Sequence, residues 1–174
     1  MYNSYDFGGF LSYQLGPERK IMMDGRYIFF PLLNKEFSIQ NRILTSQHNN
    51  EWAEFLQHYN VDYAITKTQR IYVQYPKNKI PFSLALTNIQ FPRSEWALVY
   101  WDDKALVFLK RIPKFQNIIE RYEYVNLWPY NLYQMEYLLN HNLISKKSVE
   151  EELQRHNKET GYTNIGQKIM ALIS

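Results

Sequence analysis

The chain has 174 residues, 45% hydrophobic and 17% aromatic, with 20 basic residues against 17 acidic ones and a formal net charge of +3. That is material for one core with at most an appendage, not for two full domains. The scattered, nearly balanced charge argues against nucleic acid or an anionic lipid surface as partner, the absence of cysteine excludes disulfides and thiolate metal sites, and no apolar run reaches the roughly 18 residues that span a bilayer.

The opening Tyr2 to Gly9 reads like the middle of a structural element and not like a signal peptide, so the natural protein is expected to extend upstream of Met1. Asp6 has the chemistry of an N-cap, with Phe7, Phe10, Leu11 and Leu15 along one side of a helix that Gly16 and Pro17 stop. Residues 20–24, with Ile21, Met22 and Met23, predict a short buried strand ending at Gly25. Helical spacing resumes at Phe37, Ile39, Ile43 and Leu44, and is clearest at Trp52, Phe55, Leu56 and Tyr59. A strand over 61–65 follows. Strand, helical crossover and strand predict a right-handed parallel βαβ unit. Residues 70–75 add an extended piece, and Pro81 suits the first position of a helix reaching Asn88.

Two apolar runs, 96–101 and 104–110, flank Asp102-Asp103 and predict a tight β-hairpin. After Pro113 the pattern turns helical: Ile118, Ile119 and Tyr122; then Leu132, Met135, Leu138 and Leu139. Ser148 with Glu151 forms a capping-box pattern for a helix to about His156, and Ile165, Ile169, Leu172 and Ile173 mark the last. The expected fold is α/β. It has a small mixed sheet of two or three parallel strands plus the hairpin, flanked by helices, with residues 1–112 as the α/β domain and 113–174 as a helical tail packed on it.

The candidate chemistry is sparse. His48, His58, His141 and His156 are not at metal-ligand spacing, and neither metal nor cofactor is expected. Asp102 and Asp103 read as turn residues before they read as an acid/base pair. Arg70 to Lys79 interleaves bases with rings, a pattern that can stack RNA or a sugar but that a solvated loop explains as well. One cluster is less ordinary: Asp6, Gly8 and Gly9 near the first helix start, and Asp24, Gly25 and Arg26 at the expected strand end. Paired glycines at a helix start point to close approach by another backbone, and strand ends are where open α/β sheets place ligand loops. Asp6, Asp24 and Arg26 are expected to converge there, either as a functional cluster or as a network tying helix to sheet.

These residues also carry a likeness. Tyr5 to Leu11 (Y-D-F-G-G-F-L), a glycine–proline break and Met22 to Tyr27 (M-M-D-G-R-Y) resemble the opening of the soluble C-terminal domain of multi-spanning membrane proteins of the GT-C glycosyltransferase-like group. More distantly, Asp6, Phe7 and Gly8 match the last three positions of the aromatic-Asp motif of the oligosaccharyltransferase catalytic subunit, with Ser4 and Tyr5 standing where that family has paired tryptophans. The resemblance implies an extracytoplasmic accessory domain with no catalysis of its own, tethered through upstream membrane helices. Its partners would be the membrane-embedded part of its own chain and a glycan or protein acceptor, with no nucleic acid. Phe7, Phe10, Tyr27, Phe29 and Phe30 would face the membrane portion. Two other readings come from the residues alone: an interaction module docking a partner in a groove between Leu138 and Ile169, and a small soluble enzyme with a cleft near Asp24 and Arg26.

Overall fold

A computed structural model describes residues 1–46, 50–68, 71–73 and 84–174. A four-stranded mixed sheet is assembled from β1 (Tyr2–Asn3), β2 (Tyr63–Lys67), β5 (Trp96–Trp101) and β6 (Ala105–Lys110), in the order β1-β2-β6-β5. The β1–β2 pair is parallel, with Tyr2 opposite Ala64, and the other pairings are antiparallel. A separate two-residue ladder joins β3 (Tyr72–Val73) to β4 (Leu84–Ala85). The helices are α1 (Gly8–Leu15), α2 (Phe30–Ser46), α3 (Asn50–His58), α4 (Leu86–Gln90), α5 (Gln116–Tyr122), α6 (Leu132–Asn140), α7 (Lys146–Thr160) and α8 (Asn164–Ile173).

The mixed sheet with flanking helices and a helical C-terminus is therefore present, but its first strand is not where periodicity put it. Residues 20–24 are not a strand. Met22 and Met23 are buried because the side chain of Asn3 does a strand's work: its Oδ1 accepts the Met22 amide at 2.8 Å, and its Nδ2 donates to the Met23 carbonyl at 2.8 Å. Asn3 is fully buried, and these bonds satisfy an amide that would otherwise be costly to desolvate. The parallel crossover thus runs from Tyr2–Asn3, through α1, α2 and α3, to β2.

Other boundaries also move. The chain enters α1 through a 3-10 turn over Tyr5–Phe7, and Asp6 lies inside that turn, not at an N-cap. The predicted helix start at Pro81 lies outside the described residues; Leu84–Ala85 are strand and the helix begins at Leu86. Ser145, not Ser148, caps α7, accepting the Ser148 amide at 3.0 Å, and the helix continues to Thr160. The hairpin is as expected, with a register irregularity between Leu98 and Tyr100.

One buried cluster runs from Tyr2, Ile39, Ile43 and Trp52 through Phe91 and Phe108 to Tyr130, Leu153 and Ile169, so the C-terminal helices share the sheet's core. Trp52 is its aromatic hub: it meets Tyr2 edge-on at 5.3 Å, Phe91 edge-on at 6.2 Å and Phe55 at 5.5 Å. Such contacts add to the stabilisation that ring burial already supplies.

Candidate functional site

The predicted cluster is resolved into two ion pairs. Arg26 grips Asp24, its Nε donating to both carboxylate oxygens at 2.9 Å, with a guanidinium nitrogen 2.8 Å from Oδ2. The Arg26 backbone amide donates to Asp24 Oδ1 at 3.0 Å, closing a local turn. The Arg26 side chain bonds hold the Asp24 carboxyl below its ordinary range, against burial, which pushes it up. Asp6 instead takes Lys67 of β2, Nζ to Oδ2 at 2.6 Å, a pair more than half exposed on both sides. Arg26 thus neutralises Asp24, while the bonded partner of Asp6 is Lys67.

The two glycines also part company. A Cβ on Gly8 would stand 2.3 Å from the Met23 carbonyl oxygen and 2.4 Å from Asp24 Cα, so only glycine lets α1 lie against this segment. Around Gly9 there is open space, and a Cβ on Gly25 would meet only Tyr5 Oη at 3.9 Å. The close approach read from the sequence is real at Gly8, and the approaching backbone is the protein's own.

Asp102 and Asp103 are structural. Asp102 Oδ1 accepts the amides of Lys104 and Ala105, each at 2.7 Å, which is the hairpin turn. Asp103 reaches across to α8, accepting the amides of Asn164 at 2.8 Å and Ile165 at 2.9 Å. His156 is fully buried and stacked on Trp101 with ring centroids 3.5 Å apart. Burial lowers its pKa to about 4, with Asp102 and Asp103 opposing the shift in part. Among the described residues no group of three or more acidic or histidine side chains is placed to hold a metal ion, and no helix is long and apolar enough to cross a membrane. Of the basic-aromatic strip at 70–79, only Ile71 to Val73 are described, and His48 also lies outside the described residues.

A residue that sequence reasoning passed over supplies a strongly perturbed carboxyl. Glu36 stands on the core-facing stripe of α2 with Leu32, Ile39 and Ile43, and only 4% of it is exposed. Its Oε1 accepts from Tyr2 Oη at 2.6 Å and from Gln40 Nε2 at 2.8 Å. Its Oε2 is buried without a hydrogen-bond partner among the described residues. Desolvation raises its pKa to about 7, although both donors favour the charged form, and the same burial pushes the Tyr2 phenol well up. The signal was present: a carboxylate where the helical period calls for an apolar residue.

Glu36 forms part of the wall of a pocket of about 170 Å³, which is also lined by Tyr2, Ser4, Tyr5, Asp6, Leu33, Phe37, Gln40 and Lys67. Asp24 and Arg26 do not line it. Chemically the pocket combines a carboxyl poised between its two states, a lysine–aspartate pair, a hydroxyl, an amide and ring faces.

No protein-family model, no curated protein and no solved structure matches this chain.

Proposed function

We propose that this chain is a non-catalytic accessory domain on the extracytoplasmic face of a membrane glycosyltransferase-like protein that uses a lipid-linked sugar, docked on the membrane-embedded part of its own full-length chain. The observation that carries the reading is the set of bare hydrophobic side chains on the first third of the fold. Phe10 and Tyr13 on α1, Tyr27 and Ile28 in the turn before α2, and Phe30 and Phe37 on α2 are all exposed, Tyr13 and Tyr27 by more than four-fifths. Tyr27 and Phe30 stack with centroids 5.9 Å apart. Exposed hydrophobics mark a surface that another body covers where they adjoin one another, as Tyr27 and Phe30 do. Phe10 and Tyr27 fall within the segments whose motifs resemble the glycosyltransferase-like group, and Tyr13, Ile28, Phe30 and Phe37 lie outside them. Phe29, by contrast, packs against the core, and Phe7 is only partly exposed, so the docking residues are Phe10, Tyr27 and Phe30 with Tyr13 and Ile28.

The rival tail-docking reading needs an open groove between the helices around Leu138 and Ile169; Leu138 is half-buried and Ile169 is fully buried. The test is photocrosslinking in native membranes, with a benzophenone amino acid at Tyr13 or Tyr27 of the full-length protein and a control at the exposed Tyr162. Crosslinks from the first two positions into membrane-spanning peptides are expected. An upstream reading frame without apolar segments, or equal crosslinking from Tyr162, rejects the proposal.

A further inference from the structure

We propose that the pocket between β1 and α2 binds a small, neutral, polyhydroxylated ligand of the monosaccharide class, with Glu36 accepting a ligand hydroxyl and Tyr5 and Phe37 offering their rings to its apolar face. The inference does not depend on membrane attachment.

Three observations carry it. First, a buried carboxylate oxygen without a donor is costly, and native proteins rarely leave one so. Glu36 already directs both Tyr2 and Gln40 to a single oxygen, which leaves Oε2 for a donor that no described residue supplies. Oε2 is itself buried, so a ligand hydroxyl would reach it only after the soft terminal torsion of glutamate turns the carboxyl toward the pocket that Glu36 lines. Second, the rim is electrically compensated. Asp6 and Lys67 neutralise each other at 2.6 Å, so an anion would meet two carboxylates and a cation would meet the lysine. A hydroxyl both donates and accepts, so a ligand with several of them meets Glu36, Asp6, Lys67 and Ser4 together without a net charge. Third, Tyr5 and Phe37 line the same pocket with their rings partly in solvent, which gives the C–H face of a pyranose an apolar partner. The volume of about 170 Å³ fits one small ring and not a drug-sized ligand.

The experiment titrates the isolated protein with D-glucose, D-mannose and N-acetyl-D-glucosamine, read by NMR shifts of Tyr5, Phe37 and Lys67, with inorganic phosphate and tetramethylammonium as charged controls. At least one sugar is expected to bind with Kd on the order of 1 mM, shifting all three residues. Glu36→Gln, which keeps an acceptor for Tyr2 and Gln40 but makes the ligand bond neutral, should weaken binding about tenfold. Phe37→Ala, at an exposed ring that the fold does not need, should weaken it comparably. Binding of phosphate or tetramethylammonium in preference to the sugars, sugar binding that neither variant changes, or no shift with any sugar overturns the proposal.

Discussion

Replacing Glu36 by glutamine isolates the consequence of burying an ionisable group. In the folded protein this carboxyl titrates at about 7, whereas its ordinary value is 4.5. The folded state therefore holds a proton that the unfolded chain has lost, through the whole interval between those values. Stability from this group is complete below the lower value and is lost as pH rises through the upper one. At about 1.4 kcal/mol per pH unit, the loss amounts to about 3 kcal/mol. Glutamine has no such transition, yet it offers the same oxygen to Tyr2 and Gln40. Tyr2 on β1, Ser4, Tyr5, Gln40 on α2 and the Asp6–Lys67 pair are the polar groups lining the pocket with Glu36, and none of them is altered. Urea denaturation of wild type and Glu36→Gln at intervals from pH 4 to pH 8 gives the difference directly, and contributions from His156 and other groups cancel in it. The variant is expected to gain about 3 kcal/mol on wild type across that range. A stability difference that stays flat with pH would refute the reasoning, because it would mean that Glu36 ionises as easily folded as unfolded.

Gly8→Ala drives a methyl group into the Met23 carbonyl, so it should cost about 1–3 kcal/mol of stability despite alanine's better helix propensity; Gly9→Ala, with open space around it, should gain about 0.5–1 kcal/mol, and chemical denaturation of the two side by side checks both. Trp52→Ala removes the hub of the aromatic core and is expected to cost about 3–5 kcal/mol, seen as a large fall in denaturation midpoint. The His156 imidazole should remain neutral in NMR titrations down to about pH 4; the stability that its burial lends is full above pH 6.5 and drains as acid forces protonation, so a transition at pH 6.5 in the folded protein would contradict its stacked, desolvated setting. Arg26→Ala should let the Asp24 carboxyl titrate closer to its ordinary range, leaving the bond from residue 26's own amide in place; carbon-detected NMR of that carboxyl reads the change.

Long signals were legible in the sequence, and short ones were not. The hairpin was visible because two six-residue apolar strands flank turn-forming aspartates, and α3 because Trp52, Phe55 and Leu56 repeat at helical spacing. β1 was invisible because two residues have no period. Met22 and Met23 imitated a strand because burial demands apolar residues however the backbone is held, and here an asparagine side chain holds it. The α7 cap was misplaced by three residues because Ser145 and Ser148 have the same chemistry, and only the fold chooses between them. At the site, the Asp24–Arg26 pair was foreseeable from adjacency. The partner of Asp6 lies 61 residues away, and Glu36 owes its raised pKa to burial that only the folded core supplies.

The reach of Asp103 into α8 gives the chain's two halves a common latch. The hairpin turn supplies the anion for the last helix's start, where Thr163 also accepts the Gly166 amide. A negative charge at a helix N-terminus is stabilising only while it is held there. α8 should therefore gain its full stability after the hairpin has closed, which places it late in folding and early in local opening. Hydrogen exchange at the amides of Asn164 and Ile165 reports on that latch: protection there should vanish together with protection across the Asp102 turn, and exchange that decouples the two would show that the last helix stands by itself.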